Sequence, residues 1–161
     1  MKLLKQSIAC FVAVFVISGA VLAGTANITG TAYVTLGSSE VSEKSDGSNI
    51  QEYTNSGVWV QEGMPEGFPS KLVANCKGTT VYSAEWANRG DSFICVATDI
   101  DGDGFVNAGG ASNPDFSDCH AETVAGWGKY ADVTQTVQCH FVENITQNTF
   151  ILAWTGEFTT P

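Results

Sequence analysis

The chain has 161 residues, of which 43% are hydrophobic, and it carries 17 acidic against 7 basic residues, a formal net charge of −10 at pH 7. This length suits one compact domain. Because so acidic a chain has no basic patch to replace the counterions of phosphate groups, nucleic acid and anionic lipid surfaces are excluded as partners.

The first residues, 1–23, have the layout of a secretory signal peptide. Two lysines within the first five positions precede an uncharged apolar run that ends at Ala23. Small residues follow, and we expect cleavage after Ala23, with Ala26 as the alternative site. The apolar run is short for a membrane span. The sequence therefore predicts a secreted or periplasmic single domain, residues 24–161, with no membrane segment after cleavage.

The rest of the chain is rich in strand-forming residues and shows no apolar stripe at helical spacing. Apolar and polar residues alternate most clearly over 28–36, 133–142 and 150–158. Less regular strand candidates are 56–61, 79–86, 92–100 and 116–125. Seven or eight short strands separated by Gly, Asn and Asp predict an all-β barrel or sandwich.

Three connections have distinct compositions. Residues 37–49 are polar and are predicted to form a mobile loop. Residues 62–78 contain Met64 and Phe68, which suit a loop that folds over an opening. Asn88-Arg89-Gly90-Asp91 has the composition of a hairpin turn, which we favour over its interpretation as an adhesion motif.

The stretch TDIDGDGFVNAGG, residues 98–110, is the richest in candidate metal ligands. Its oxygen-bearing side chains are spaced like the first ligands of an EF-hand calcium loop. These candidates are Asp99, Asp101, Asp103 and Asn107.

The same stretch departs from a complete EF-hand. Its twelfth position, where a bidentate carboxylate is needed, is Gly110, and the preceding residues 92–100 are typical of a strand rather than a helix. Two compatible interpretations stay open. We favour an acidic hairpin turn over 101–104, and the alternative is a weak calcium site.

Four cysteines follow the predicted leader: Cys76, Cys95, Cys119 and Cys139. An even number in an exported domain predicts two disulfides, and the absence of any CxxC pair disfavours zinc. If 116–125 and 133–142 pair as a hairpin around GWGKYAD, positions 119 and 139 face each other across a midpoint at Lys129. We therefore favour Cys119–Cys139, which leaves Cys76–Cys95.

Each of the last two cysteines is followed by a histidine, His120 and His140. Neighbouring side chains of a strand point to opposite faces, so we expect exposed histidines and no Cys-His metal site. With all four thiols in disulfides, no nucleophilic triad emerges. The four tryptophans, at positions 59, 86, 127 and 154, are expected in the barrel core rather than as ligand stackers.

The segments CKGTTVY, CVATDIDGDG, VAGWGKYADVT and WTGEF, taken in order over 76–158, resemble secreted bacterial proteins of the allene-oxide-cyclase-like barrel group, relatives of the dirigent-type β-barrels. In that group a stretch like GGTGKYAGITG precedes a late strand, and the last strand contains W-x-G. The matching positions here are Gly126, Gly128, Lys129, Tyr130, Ala131, Val133, Trp154 and Gly156. Trp127, Asp132 and Gln135 depart from the pattern.

The resemblance implies an eight-stranded antiparallel barrel with an apolar lumen. Members of the wider group cyclise a fatty-acid epoxide or guide the radical coupling of phenols, and the active-site residues of neither activity can be placed on this chain. We therefore predict a secreted, disulfide-bonded barrel of unassigned activity that binds a small hydrophobic ligand in its lumen. The alternatives are a cyclase- or isomerase-type enzyme and a calcium-stabilised structural or adhesive surface protein.

Overall fold

The computed structural model describes residues 23–113 and 115–161, so the predicted signal peptide, apart from Ala23, lies outside the described residues. Eight antiparallel strands form one closed barrel, in which each strand pairs with its neighbours in sequence and the last pairs with the first. The strands are β1 (Gly24–Glu43), β2 (Asn49–Glu62), β3 (Lys71–Tyr82), β4 (Asn88–Thr98), β5 (Gly104–Ala111), β6 (His120–Trp127), β7 (Thr134–Asn144) and β8 (Thr149–Thr160). The predicted eight-stranded antiparallel barrel is confirmed.

Helical structure is limited to one 3-10 turn, Gly128–Tyr130, in the part of the chain described. None of the described segments forms a helix of the length and hydropathy that a membrane crossing needs.

Alternation along β1 and β8 places one apolar face of each strand inside the barrel, as predicted, although Leu36 at the far end of the β1 face is exposed. Ile28, Ala32 and Val34 of β1 are buried, and so are Trp154 and Phe158 of β8. Successive side chains of a strand point to opposite faces, so one interior receives every second residue of all eight strands.

The prediction of a long mobile loop over 37–49 is wrong. β1 continues to Glu43 and pairs with the start of β2 beyond a register shift between Leu36 and Ser39. Only residues 44–48 form the turn, closed by the Lys44 N–H donating to the Ser48 carbonyl at 2.8 Å. This part of the hairpin is largely exposed, so its residues carry no apolar alternation.

The second connection is also shorter than predicted, because β3 begins at Lys71. Its inward residues Leu72 and Ala74 are buried. The remaining loop folds over one end of the barrel, as expected, and inserts the Phe68 side chain into the core.

The hairpin turn between β3 and β4 lies five residues before the predicted one. The Ser83 N–H donates to the Ala87 carbonyl at 2.8 Å, and the Ser83 Oγ accepts the Ala87 N–H at 3.3 Å. The Arg89-Gly90-Asp91 stretch therefore belongs to β4 and not to a turn.

Both predicted disulfides are present. Cys76 and Cys95 are direct partners of the β3–β4 ladder, with their Cα atoms 4.0 Å apart. Cys119 and Cys139 are 5.0 Å apart, and the Cys139 N–H donates to the Cys119 carbonyl at 2.9 Å. The first bridge thus joins two neighbouring strands, and the second joins the residue immediately before β6 to β7.

An aromatic cluster fills the end of the barrel that carries the β2–β3, β4–β5 and β6–β7 connections. The ring of Phe68 lies edge-on to Phe158 at 4.9 Å and to Tyr130 at 5.2 Å between centroids. Phe105 packs against Tyr130 at 5.3 Å. Two of these four rings, Phe68 and Tyr130, come from connections rather than strands, so the loops seal this end.

Replacing the buried loop ring tests this seal. We expect Phe68→Ala to lower the free energy of unfolding by about 3–5 kcal/mol, because it removes a core aromatic and leaves a cavity. Urea denaturation would measure the loss. Val73→Ala on the exposed face is the control and should change stability by less than about 0.5 kcal/mol. Equal effects of the two substitutions would contradict a sealing role for Phe68.

Candidate functional site

The opposite half of the barrel is not filled. A cavity of about 310 Å³ extends from the aromatic cluster toward the end that carries the β3–β4, β5–β6 and β7–β8 connections. Its rim includes the exposed side chains of His140, Phe141 and Leu36, so the cavity opens to solvent at this end.

The cavity walls are mainly apolar. Trp59 forms the boundary with the filled half, because its ring contacts Phe105 at 6.4 Å and Trp154 at 5.5 Å between centroids. Other apolar wall residues are Val34, Phe93, Val137, Phe150 and Leu152, and the sulfurs of both disulfides complete the wall.

The expectation that all four tryptophans lie in the barrel core holds for only two of them. Trp59 and Trp154 lie inside the barrel and also line the cavity. Trp86 is exposed in the β3–β4 turn, with a left-handed φ of 63°. Trp127 donates its indole N–H to the Gly102 carbonyl at 2.7 Å, outside the lumen.

One carboxyl group, that of Asp91, lies in the cavity wall. The Tyr53 hydroxyl donates to it at 3.0 Å and the Thr80 hydroxyl at 2.7 Å. Burial raises the pKa of Asp91 above its usual value of 3.8, and these two hydrogen bonds oppose the rise only in part. Burial, and then the nearby Asp91 charge, raises the pKa of Tyr53 as well.

Asp91 is predicted from the sequence to lie in a turn, so this carboxyl group is not among the predicted site residues. The sequence does contain a pattern that could have identified it: Asp91 is separated by an even number of positions from Cys95 and Ala97 of β4, which are buried, so all three lie on the same face of the strand. A strand that began at Asn88 would have placed the carboxyl inside the barrel.

A row of buried side-chain amides crosses the floor of the cavity. The Thr123 hydroxyl donates to Asn107 at 3.0 Å, the Asn107 amide donates to Gln135 at 3.2 Å, and the Gln135 amide donates to Gln61 at 3.3 Å. The three amide residues are 1–3% exposed. Asn107, a candidate calcium ligand by sequence, thus lies inside the lumen, apart from the three aspartates.

The three aspartates of the acidic stretch surround an ammonium group. The Lys129 Nζ lies 2.9 Å from Asp99, 2.8 Å from Asp101 and 3.9 Å from Asp103. The stretch also forms a hairpin turn, as we favoured, but the turn covers 99–103 rather than 101–104 and is closed by the Asp99 N–H donating to the Asp103 carbonyl at 2.9 Å. Lys129 therefore supplies a cation to this turn from the β6–β7 connection.

Asp99 anchors this cluster because its side chain is buried. Its Oδ1 accepts the backbone N–H groups of Asp101 at 2.9 Å and Asp103 at 3.2 Å. Burial alone would raise the pKa of Asp99, but the Lys129 ammonium and these N–H groups outweigh it and hold the pKa below its usual value. Hydrogen bonds to Asp101 and Asp99 raise the pKa of Lys129.

Across residues 23–113 and 115–161, no three His, Cys, Asp or Glu side chains are grouped as a metal site. Calcium binding by the acidic turn stays a prediction. His120 and His140 are both exposed, as expected. The His120 Nδ1 lies 3.2 Å from the Asp118 carbonyl, and His140 stands at the cavity rim.

No protein-family model matches the chain, and no curated protein matches it. Among solved structures, the pterocarpan synthase dirigent protein GePTS1 is similar, with a TM-score of 0.49 and 14% sequence identity over 98% of this chain and 98% of that chain.

Replacing the central lysine tests the ion cluster. Lys129→Met leaves the buried Asp99 carboxylate without its cation, so we expect the free energy of unfolding to fall by about 1–3 kcal/mol. Lys77→Met, at an exposed lysine of β3, is the control and should have little effect. Comparable losses in the two variants would contradict the role of Lys129.

Lys129→Met and the native protein together test the prediction of calcium binding. A bound divalent cation must displace the ammonium group, so we expect millimolar calcium, compared with a chelator, to raise the melting temperature of Lys129→Met more than that of the native protein. Differential scanning calorimetry measures both. If neither melting temperature moves, the calcium prediction is wrong.

Asp91→Asn tests the lumen carboxyl through the pH dependence of stability. Because the pKa of Asp91 is raised by folding, the folded protein keeps this proton at pH values where the unfolded chain has lost it. The stability that this proton contributes is complete below pH 3.8 and is lost as the pH rises through the raised pKa. We therefore expect the native protein to lose stability relative to Asp91→Asn as the pH rises through this interval.

Urea denaturation at several pH values provides the measurement, with Asp132→Asn at an exposed position as the control. A native-to-variant difference that is constant with pH, or that grows in favour of the native protein, would show that folding does not raise the pKa of Asp91.

Proposed function

We propose that the protein is a secreted barrel that binds a small apolar molecule in its lumen. The observation that carries the proposal is the cavity of about 310 Å³, which lies within a barrel whose other half is closely packed. Protein interiors are normally filled to the density of organic crystals, and empty apolar volume lowers stability. A retained cavity in the size range of ligand pockets therefore favours a binding role.

The construction of the cavity supports the same role. Both disulfides line it, so the walls on the β3–β4 and β6–β7 sides are cross-linked covalently. The aromatic cluster closes the inner end, which leaves one entrance at the rim. A cross-linked wall and a single entrance favour a pre-formed site over one that collapses when empty.

Secretion is part of the proposal. Two disulfides in a domain of this size are typical of oxidising compartments, and the first 23 residues have the composition of a leader. Detection of the mature protein in the culture medium or periplasm, with its first residue at Gly24, would test this part.

An enzyme that transfers a proton inside the barrel is the second candidate. The observation that favours it is Asp91, a carboxyl group with a raised pKa in an apolar cavity beside Tyr53. Perturbed carboxyls of this kind are frequent among catalytic acids and bases. This candidate corresponds to the cyclase- or isomerase-type enzyme that is one of the alternatives from the sequence.

Filling the cavity tests the binding proposal. The fluorescent probe N-phenyl-1-naphthylamine is neutral and apolar, and we expect the native protein to bind it with enhanced fluorescence. In Val137→Phe an additional ring occupies the lumen, so binding should weaken at least about tenfold. Val58→Phe adds the same ring to the outer face, where Val58 is 43% exposed, and should bind as the native protein does.

Circular dichroism and thiol titration establish that both variants keep the fold and the disulfides. Probe binding that is equal in the two variants would place it outside the lumen and contradict the proposal. Native mass spectrometry of the protein from its source is the complementary measurement, since a lumen ligand should be retained at one molecule per chain.

A further inference from the structure

We propose that the lumen takes a neutral molecule with a hydrogen-bond acceptor at its inner end, such as a ketone, aldehyde or ester, and that Asn107 and Gln135 bind this acceptor. The inference rests on the proposed binding function and specifies its ligand. It is carried by the amide row at the cavity floor, together with the charges of the cavity wall.

The position of the row gives it access to a ligand. Asn107 follows the core residue Phe105 by two positions in β5, and Gln135 follows the core residue Val133 by two positions in β7. Both side chains also line the cavity. The amides therefore form the surface on which the inner end of a bound molecule rests.

The hydrogen bonds of the row leave N–H donors without a partner. A primary amide has two N–H donors, and its carbonyl oxygen has two lone pairs. Among the described residues each of the three amide oxygens accepts one hydrogen bond, whereas Asn107 and Gln135 each donate one of their two N–H groups. The Gln61 Nε2 is buried and has no partner among the described residues.

Buried polar groups without partners cost free energy, so such donors favour a ligand that satisfies them. An acceptor oxygen at the floor would bind the second N–H groups of Asn107 and Gln135, the two amide residues of the row that line the cavity. A purely hydrocarbon ligand would cover them without replacing their hydrogen bonds, and it would bind less well for that reason.

The charges of the wall require the acceptor to be neutral. Among the described residues that line the cavity there is no lysine or arginine, the one carboxyl group belongs to Asp91, and the one imidazole, that of His140, is exposed at the rim. A carboxylate held at the cavity floor would therefore lie in an apolar lumen without a cation beside it, which is strongly unfavourable. The acidic chain as a whole also repels anions.

A matched pair of probes tests the inference. 2-Acetylnaphthalene and 2-isopropenylnaphthalene share one skeleton and differ in a carbonyl oxygen replaced by a CH₂ group. Their affinities are measured by displacement of N-phenyl-1-naphthylamine from the native protein and from Gln135→Met. Gln138→Met, on the exposed face of the same strand, is the control.

We expect the ratio of ketone to alkene affinity to fall about five- to tenfold in Gln135→Met and to stay unchanged in Gln138→Met. Comparison of ratios cancels the different hydration of the two probes. Sodium 2-naphthoate should bind at least about tenfold more weakly than the ketone. A naphthoate affinity equal to that of the ketone would overturn the neutral-ligand part of the inference.

The outcomes separate this inference from the proposed function. If both probes displace the fluorophore and their ratio is the same in all three proteins, the lumen binds apolar molecules but the amide role is wrong. If neither probe nor fluorophore binds, both proposals fail.

A measurement on the native protein covers the case in which Gln135→Met does not fold. The infrared carbonyl stretch of bound 2-acetylnaphthalene should lie below its value in hexane, because N–H donors weaken the C=O bond. An unshifted stretch would overturn the inference.

Discussion

The closed eight-stranded barrel limits what every other part of this molecule can do. Closure satisfies each sheet edge, and strand periodicity then sends alternate side chains of eight strands into one narrow interior. Such an interior can be packed with side chains or can enclose a cavity, and in this barrel one half is packed and the other half encloses a cavity. Large rings from the loops, Phe68 and Tyr130, fill one end, whereas the other end contains the cavity, where the walls include the small residues Ala32 and Ala121.

The division between the two halves is chemical as well as steric. The amide row of Gln61, Asn107 and Gln135 lies at the boundary, with aromatic rings below it and the cavity above it. On the outside of the filled end, Lys129 ties the β6–β7 connection to the acidic turn, while its neighbour Tyr130 enters the core. One short segment therefore holds two turns together and helps to close the barrel.

The fold and the disulfides could be predicted from sequence because each depends on local alternation or on symmetry about one turn. Positions 119 and 139 are predicted to face each other across Lys129. The ladder of β6 and β7 is centred on the same residue, because His120 pairs with Gln138. The residues that line the cavity are less predictable. Asn107 has the spacing of a calcium ligand, but its position in the alternation of β5 directs its side chain into the lumen. The inward position of Asp91 depends on a turn that ends at Ala87.

The placement of the covalent bridges has a consequence for how the barrel forms. Each disulfide closes one hairpin, across 19 and 20 positions, and neither crosses the seam between β1 and β8. That seam joins Gly24 to Thr160, 136 positions apart, through the hydrogen bonds of the strand ladder and through packing. Because such distant pairing is slow to find, the hairpins should mature early and the seam should close last. Until then β1 has an unpaired edge, the part of the nascent protein most exposed to association with another chain.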